Sequence, residues 1–345
     1  MSPHPSRAYR AIQSRCDCVP SLSSFRSALC CAFFAALLAT ASVARAADAF
    51  PSRPIRLVVG FGAGGPTDIP ARFIAEKLGS RLGQNVVVEN KPGAGGMFAT
   101  RDVLSQASDG YTLLLCTHFE SINTVLYRNP QYALRDVAPI SLIAKYYYGL
   151  ALSNAIPAAS FEQFVAYAKA HPGEVGYISI GIGSAQEILA RQLERLTGMS
   201  MNRIPYRGGP QVLQDLLSGI VHFYVAPTLQ VLPQYESRQL KILAVSSPQR
   251  LDVASEIPTL VEKGIDFVRY GWLGICARAG TPPPIMELLH RNVVSIVAMP
   301  EYQALITKAG SIPISSSPAE LADVLTQTVD DVAATIREFG MQQDQ

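Results

Sequence analysis

The sequence has little charge, little tryptophan and no repetitive segment. Of its 345 residues, 16% are charged, the formal net charge is +2, and one is tryptophan. A disordered tail, a collagen-like fibre and a cationic nucleic-acid-binding protein each need a skewed composition, which is missing here. The averages predict an ordinary globular protein, and we expect no nucleic-acid partner.

The N-terminal region departs from these averages. Residues 27–44 carry no charge, arginines precede them, and Ala44-Arg45-Ala46 follows as a small-x-small pattern. A basic start, an apolar core and such a site are typical of a cleavable secretory leader, so we predict a signal peptide over 1–46 and a periplasmic location. An uncleaved membrane anchor is the alternative, because about 18 uncharged residues approach the length that spans a bilayer.

Removal of this leader changes the charge and the cysteine content. Four of six cysteines and five arginines would leave with it, and the remaining chain of about 300 residues would carry roughly two negative charges. Cys116 and Cys276 remain, in apolar runs far apart in the sequence. We expect buried free thiols rather than a bridge, since disulfide frameworks have several closely spaced pairs. This length also predicts two lobes.

Apolar runs alternate with helical patterns along the rest of the chain. The run Ile55 to Val59 leads through a glycine-rich turn to apolar positions at helical spacing over 69–82, with Thr67 or Asp68 as N-cap. Alternating strands and helices of this length predict parallel strands with right-handed crossovers.

The second half repeats this pattern. A strand over 175–180 precedes a glycine turn at 181–184 and a helix over 185–196. Ser160 lies three residues before Gln163, a spacing typical of a capping box. Ser317-Pro-Ala-Glu320 opens the last helix, and Gly340 stops it. Glycine loops therefore recur where strands lead into helices.

The first glycine loop permits two interpretations. Gly60-Phe-Gly-Ala-Gly-Gly65 matches a dinucleotide-binding pattern, and Glu89 ends the next strand. Three features argue against a nicotinamide cofactor. The protein is predicted to be exported, Pro66 and Pro70 lie in the loop and the first helical turn, and similar glycine loops occur elsewhere in the sequence. An exported NAD-dependent oxidoreductase stays a remote alternative.

The physics of such loops favours an anion in general. Glycines let backbone N–H groups turn toward a ligand, and a helix N-terminus adds partial positive charge. Each helix end contributes about 0.3–2 kcal/mol, whereas a micromolar ligand needs roughly 8 kcal/mol. Several loops would have to converge in a cleft between two lobes. In the alternative interpretation, the glycines serve only as turn residues.

Several segments in order carry a resemblance to a known family. They are the run from Pro51 to Gly96, then DGYTLLL, Ile204-Pro-Tyr-Arg-Gly-Gly209, LAVSS, Gly271-Trp272 and Ala279-Gly-Thr-Pro282. Together they resemble the Bug family, the periplasmic receptors of tripartite tricarboxylate transporters. The resemblance covers essentially all of residues 50–340.

The resemblance implies an α/β type II periplasmic binding-protein fold, with mixed sheets in two lobes joined by two crossings. Lobe 1 would comprise 47–150 and 272–345, and lobe 2 would comprise 151–271. The implied function is an extracytoplasmic solute receptor that delivers a mono- or dicarboxylate or an amino acid to a tripartite tricarboxylate-type membrane permease. An orphan receptor that reports to a signalling partner is the alternative. We expect a monomer, no enzyme, no cofactor and no metal.

The resemblance and the loop positions together give the candidate ligand-binding residues. These are Phe61, Ala63, Gly64, Gly65, Thr67 and Asp68 in the first loop, Thr117 and His118 after a strand, Gly183, Ser184 and Ala185 in the facing loop, and Tyr206. Asp68 could pair with a ligand ammonium or serve only as an N-cap, and His118 could simply be solvated. One ring of Tyr146 to Tyr148 could stack on a ligand, although alternate rings of a strand are normally core.

Two positions depart from the family pattern. Glu187 stands where the family usually has histidine, and His222 stands where it usually has aspartate. An acid beside the site would repel a further negative charge on the ligand, which argues against a polyanion. The alternatives are that Glu187 faces solvent and that His222 packs at a strand start.

Overall fold

The computed structural model describes residues 50–181, 184–206 and 210–341. The predicted leader over 1–46 and the candidate residue Gly183 lie outside these ranges. No helix in the described ranges is long and apolar enough to cross a membrane.

Ten strands in the described ranges form one curled mixed sheet. Their order is β2-β1-β3-β9-β4-β7-β5-β6, with β8 and β10 also paired to β4. The strands are β1 Ile55–Val59, β2 Val86–Asn90, β3 Thr112–Thr117, β4 Val137–Ser153, β5 Gly176–Ser179, β6 Asn202–Pro205, β7 Phe223–Pro227, β8 Leu240–Val245, β9 Tyr270–Arg278 and β10 Ser311–Pro313.

The helices occupy the segments between these strands. They are α1 Asp68–Leu82, α2 Met97–Ser105, α3 Phe119–Leu126, α4 Phe161–Ala170, α5 Ala185–Thr197, α6 Pro210–Ser218, α7 Thr228–Glu236, α8 Pro283–Val297, α9 Pro300–Lys308 and α10 Pro318–Glu338. Ser317 and Glu320 form a capping box at the start of α10. Ser160 caps α4, but the Gln163 amide accepts from Ala159 N–H instead of the cap residue.

The expected parallel pairing occurs at both outer parts of the sheet. β1 pairs in parallel with β2 and β3, and β5 pairs in parallel with β6 and β7. The central strands are antiparallel because β4 and β9 carry the chain between the two parts in opposite directions. β4 pairs with β9 over 137–147 and continues to pair with β7 from Tyr148.

The buried core includes two local clusters besides a large shared one. One local cluster draws its buried side chains from 151–257, and the other draws them from residues before 143 and after 271. Trp272 belongs to the second cluster and donates its indole N–H to Thr328 Oγ1 at 3.3 Å. The large cluster draws side chains from both of the expected lobes, and the lobe boundaries stay a prediction.

The expectation of free thiols is wrong, because Cys116 and Cys276 form a disulfide. β3 and β9 are antiparallel neighbours, with Cys116 opposite Gly274 and Cys276 opposite Leu114. The two cysteines are therefore diagonal neighbours, with Cα atoms 5.9 Å apart. Their separation of 160 residues in the sequence concealed this pairing, which depends on β9 returning beside β3.

Candidate functional site

A cavity of about 50 Å³ lies where the strands of the two sheet parts end and helices begin. We call it the front cleft. It is lined by Phe61, Gly62, Gly65, Pro66, Thr67, Thr117, His118, Phe119, Tyr146, Ile180, Gln186, Val212, Tyr224, Pro227 and Gln230. Segments from both proposed lobes therefore contribute to its wall.

Four helices begin at the front cleft. Thr67, His118 and Pro227 are the N-cap residues of α1, α3 and α7, and Gln186 is the second residue of α5. The first N–H groups of a helix have no intrahelical partner and carry a partial positive charge. Their convergence on one cavity favours an anionic ligand.

The first loop is held by the carboxylate of Asp68. This buried group accepts from Gly64 N–H at 2.8 Å, Arg72 Nε at 2.7 Å and Asn90 Nδ2 at 2.9 Å, and Asn90 also donates to Phe61 O. Burial alone would raise the pKa of Asp68, but these hydrogen bonds hold it below its ordinary value. Asp68 thus stabilises the loop, and its oxygens are already occupied.

A second turn at the cleft is held by Glu120. Its Oε2 accepts from Thr117 N–H at 2.5 Å and from Thr117 Oγ1, and its Oε1 accepts from Thr100 Oγ1 at 3.0 Å. Thr117 Oγ1 in turn accepts from Phe119 N–H at 3.1 Å. Burial raises the pKa of Glu120 to about 7, although these hydrogen bonds oppose the rise. The carboxyl group fixes the backbone that presents Thr117 and His118.

Three polar side chains of the cleft wall are buried with unused hydrogen-bonding atoms. His118 is 4% exposed and lies beside the Trp272 backbone, yet neither ring nitrogen makes a hydrogen bond of normal geometry. Burial lowers the pKa of His118 to about 3, so the ring is neutral at pH 7. Thr67 Oγ1 and Gln186 Oε1 are also buried without partners. Such groups are costly unless a ligand or water satisfies them.

The rest of the wall is apolar and aromatic. The rings of Phe61 and Phe119 are 5.2 Å apart, and the Phe119 ring is 4.6 Å from that of His118. Tyr146 and Tyr224 also line the cavity. None of the described lining residues carries a charge at neutral pH, so this part of the wall offers an anion only dipoles and apolar surface.

Comparisons with known proteins identify the family. The family model described as "Tripartite tricarboxylate transporter family receptor" matches residues 70–341. The chain belongs to this receptor family. BugT of Bordetella pertussis is 32% identical over 309 residues, which cover 88% of this chain and 95% of BugT.

Solved structures agree with this assignment. The periplasmic binding protein BugD has a TM-score of 0.81 and 31% identity, covering 86% of this chain and 100% of BugD. Rpa4515 of R. palustris, solved with adipate, has a TM-score of 0.81 and 28% identity, covering 84% of this chain and 98% of Rpa4515. The fold of this receptor is therefore that of a two-lobe periplasmic binding protein.

The front cleft of this receptor brings together some of the candidate residues. Phe61, Gly65, Thr67, Thr117 and His118 line it. These five come from the first loop and from the end of β3.

Other candidates lie outside the lining. Ala63 and Gly64 are exposed at the outer side of the first loop, and Asp68 is buried beneath it. Ser184 caps α5 through Glu187 N–H, and Ala185 begins that helix. The hydroxyl of Tyr206 donates to Asp215 at 2.7 Å. The ligand role of all candidates stays a prediction.

The two departures from the family pattern have structural partners. Glu187 is fully buried, and its Oε2 accepts from Ser179 Oγ at 2.8 Å and Arg203 Nε at 2.9 Å, while Arg191 lies 3.1 Å from Oε1. Glu187 does not line the front cleft, and two arginines balance its charge. The charge of Glu187 therefore gives no reason to exclude a polyanionic ligand. His222 lies directly before β7, and its Nδ1 accepts from Gly176 N–H at 2.9 Å.

The candidate list lacks nine of the other described lining residues. Gly62, Pro66 and Phe119 lie beside candidates in the first loop and after β3. The other six come from the proposed second lobe and are Ile180, Gln186, Val212, Tyr224, Pro227 and Gln230. Some carried a usable signal: Gln186 and Pro227 lie at the starts of helices that follow short strands, the position at which ligands bind in α/β sheets.

Proposed function

We propose that this protein is an extracytoplasmic receptor that captures a small carboxylate in the front cleft and delivers it to a tripartite tricarboxylate-type permease. One observation carries the proposal: four helix N-termini converge on a cavity with buried, unused polar atoms. Family membership and the adipate complex of Rpa4515 support the same ligand class.

The lining supports a more specific ligand class, a carboxylate with an apolar body and no ammonium group. No acid is among the described residues that line the cleft, and Asp68, the candidate partner for an ammonium, is committed to Gly64, Arg72 and Asn90. The undescribed residues within 50–341 are Ile182, Gly183, Arg207, Gly208 and Gly209, which include no acid. A buried ammonium without an anionic partner is strongly unfavourable, whereas aromatic walls favour an apolar body.

Family membership supports our proposal for the location and partners of the protein. Residues 1–46 act as a cleavable leader, the protein works as a periplasmic monomer, and lobe 1 (47–150 and 272–345) closes on lobe 2 (151–271). The two local core clusters support this division, because each draws its side chains from one proposed lobe.

Thermal unfolding with a panel of small molecules tests the proposal. Hexanoate, benzoate and adipate should include compounds that raise the melting temperature of the purified protein, while hexylamine and NAD should leave it unchanged, because only an anion with an apolar body matches the lining. Stabilisation by NAD without any carboxylate would point to an oxidoreductase instead.

Two cleft variants locate the binding site. Thr67→Val removes a buried hydroxyl that can donate to a carboxylate, and Gln186→Leu removes an amide whose Nε2 can do the same. Both changes keep nearly constant volume and should each weaken carboxylate binding about tenfold. Thr326→Val, on the exposed face of α10, is the matched control and should bind normally. Equal affinity in all three variants would place the ligand elsewhere.

A further inference from the structure

A second cavity, of about 220 Å³, lies between α5, α10 and the start of β9. We call it the α5–α10 cavity. Its wall includes Ile188, Leu189 and Gln192 of α5 and Thr328, Asp331 and Thr335 of α10. His118 is the one residue that it shares with the front cleft among the described residues that line the two. The two cavities therefore adjoin at His118 but are otherwise lined by different residues.

The interior of this cavity is apolar and aromatic. Tyr148 and Trp272 are almost completely buried, and Ile122, Ile188 and Leu189 are each at most 4% exposed. About 10–15 Å³ of such space holds one water molecule, so about 220 Å³ has room for a small organic molecule. This interior suits the hydrocarbon or aromatic part of a small molecule.

The rim carries one charge of each sign, unlike the front cleft. Arg269 and Asp331 are both exposed, and neither forms an ion pair with any other described residue. Arg269 uses one nitrogen to donate to the carbonyl of Val268 at 2.8 Å, which leaves other guanidinium donors for a ligand.

Polar atoms inside the cavity wall also lack partners. Gln192 Nε2 donates to Thr335 Oγ1 at 3.1 Å, which links α5 to α10, but Gln192 Oε1 is buried and unused. Neither nitrogen of the buried His118 ring makes a hydrogen bond of normal geometry. These groups point to an occupant that supplies both hydrogen-bond donors and acceptors.

We propose that the α5–α10 cavity is a second binding site, specific for a small zwitterion with an apolar side chain, as in a hydrophobic amino acid. The carboxylate pairs with Arg269, the ammonium pairs with Asp331, and the side chain packs near Trp272. Each charge of the ligand then meets the opposite charge, which neither an aliphatic acid nor an amine of the same shape achieves.

Intrinsic fluorescence tests this site directly, because Trp272 is the only tryptophan in the sequence and lines this cavity but not the front cleft. Titration of the purified protein with L-leucine should shift the Trp272 emission with saturation. 4-Methylpentanoate and 3-methylbutylamine, which each lack one charged group, should bind at least about tenfold more weakly at this site. Absence of a saturable change with L-leucine would overturn the proposal.

Variants separate the second site from the front cleft. Arg269→Gln and Asp331→Asn should each weaken L-leucine binding about tenfold, whereas Asp330→Asn, the neighbouring exposed acid of α10, should not. Phe61→Ala alters only the front cleft and should leave L-leucine binding unchanged. Loss of L-leucine binding in Phe61→Ala, with normal binding in the two rim variants, would assign the amino acid to the front cleft and contradict the proposal.

Discussion

His118 and Glu120 lie two residues apart, and burial shifts their pKa values in opposite directions. Burial lowers the pKa of His118 to about 3 and raises that of Glu120 to about 7. The His118 ring is therefore neutral near pH 7, whereas Glu120 changes its charge around that pH. The same shifts make the stability of the protein depend on pH.

Glu120→Gln should change the pH dependence of stability. Between pH 4.5 and 7, folded Glu120 keeps a proton that the unfolded chain has released, so the free energy of unfolding falls as pH rises. Relative to the variant, the wild type should lose up to about 3 kcal/mol across this window. The contribution of His118 has the opposite sign and is present in both proteins, so it cancels in the difference. Urea unfolding at pH 4.5 and pH 8 measures this difference, and parallel profiles would contradict it.

The buried carboxylate of Glu187 offers a second test. Glu187→Ala should lower the free energy of unfolding by about 3 kcal/mol, because Arg203 and Ser179 lose their buried partner. The exposed pair Arg250–Glu262 is the control, and Glu262→Ala should lower the free energy of unfolding much less than Glu187→Ala does, because solvent screens the exposed pair. Urea unfolding of both variants decides it, and equal losses would show that Glu187 is not a structural anchor.

Residues of the cleft differ in how far the sequence could predict them. Phe61, Gly65 and Thr67 belong to one loop whose glycine pattern is visible locally. Tyr224 and Gln230 reach the same cavity only because β4 places β7 and α7 beside it, and no local pattern encodes that placement. A single sequence also does not show that arginines neutralise Glu187.

At the level of secondary-structure elements, local signals were reliable and long-range pairings were not. The predicted boundaries of α5 and α10 agree with the structure because caps and periodicity lie within each segment. β4 is long because it pairs with β9 in its first part and with β7 in its second part. These pairings depend on the order of strands in the sheet, which no local sequence pattern encodes. The disulfide between β3 and β9 was missed for the same reason.

The disulfide gives a direct test of this strand order. Digestion of unreduced protein should yield a cross-linked peptide that contains Cys116 and Cys276. The double variant Cys116→Ala/Cys276→Ala should lower the free energy of unfolding by about 3 kcal/mol, because the unfolded chain loses its cross-link. Recovery of both cysteines as free, alkylated thiols would contradict the arrangement.

The capping box of α10 gives a smaller effect. Ser317 Oγ accepts from Glu320 N–H at 3.2 Å, and Glu320 Oε2 accepts from Ser317 N–H at 2.7 Å. Ser317→Ala should cost about 1 kcal/mol of stability, measured by urea unfolding. Ser315→Ala, outside the helix, is the control, and an unchanged stability of Ser317→Ala would argue against the cap.

For the whole molecule, two helices contribute to both cavities. α5 contributes Gln186 to the front cleft and Gln192 to the α5–α10 cavity, while α3 contributes Phe119 and Ile122 in the same way. The fold class followed from alternating strands and helices together with the family resemblance. The chemistry of the ligand could not be predicted from the sequence alone. The cleft wall combines segments that are far apart in the chain, so only the structure shows that none of its described lining residues is acidic.

A crystal structure of the protein with the carboxylate that stabilises it most would test directly whether the front cleft binds a carboxylate. The carboxylate should lie in the front cleft, within hydrogen-bond distance of helix N-termini and of Thr67 or Gln186, with its apolar body against Phe61 or Tyr224. A ligand bound elsewhere, or one whose ammonium group lies in the front cleft, would contradict the account.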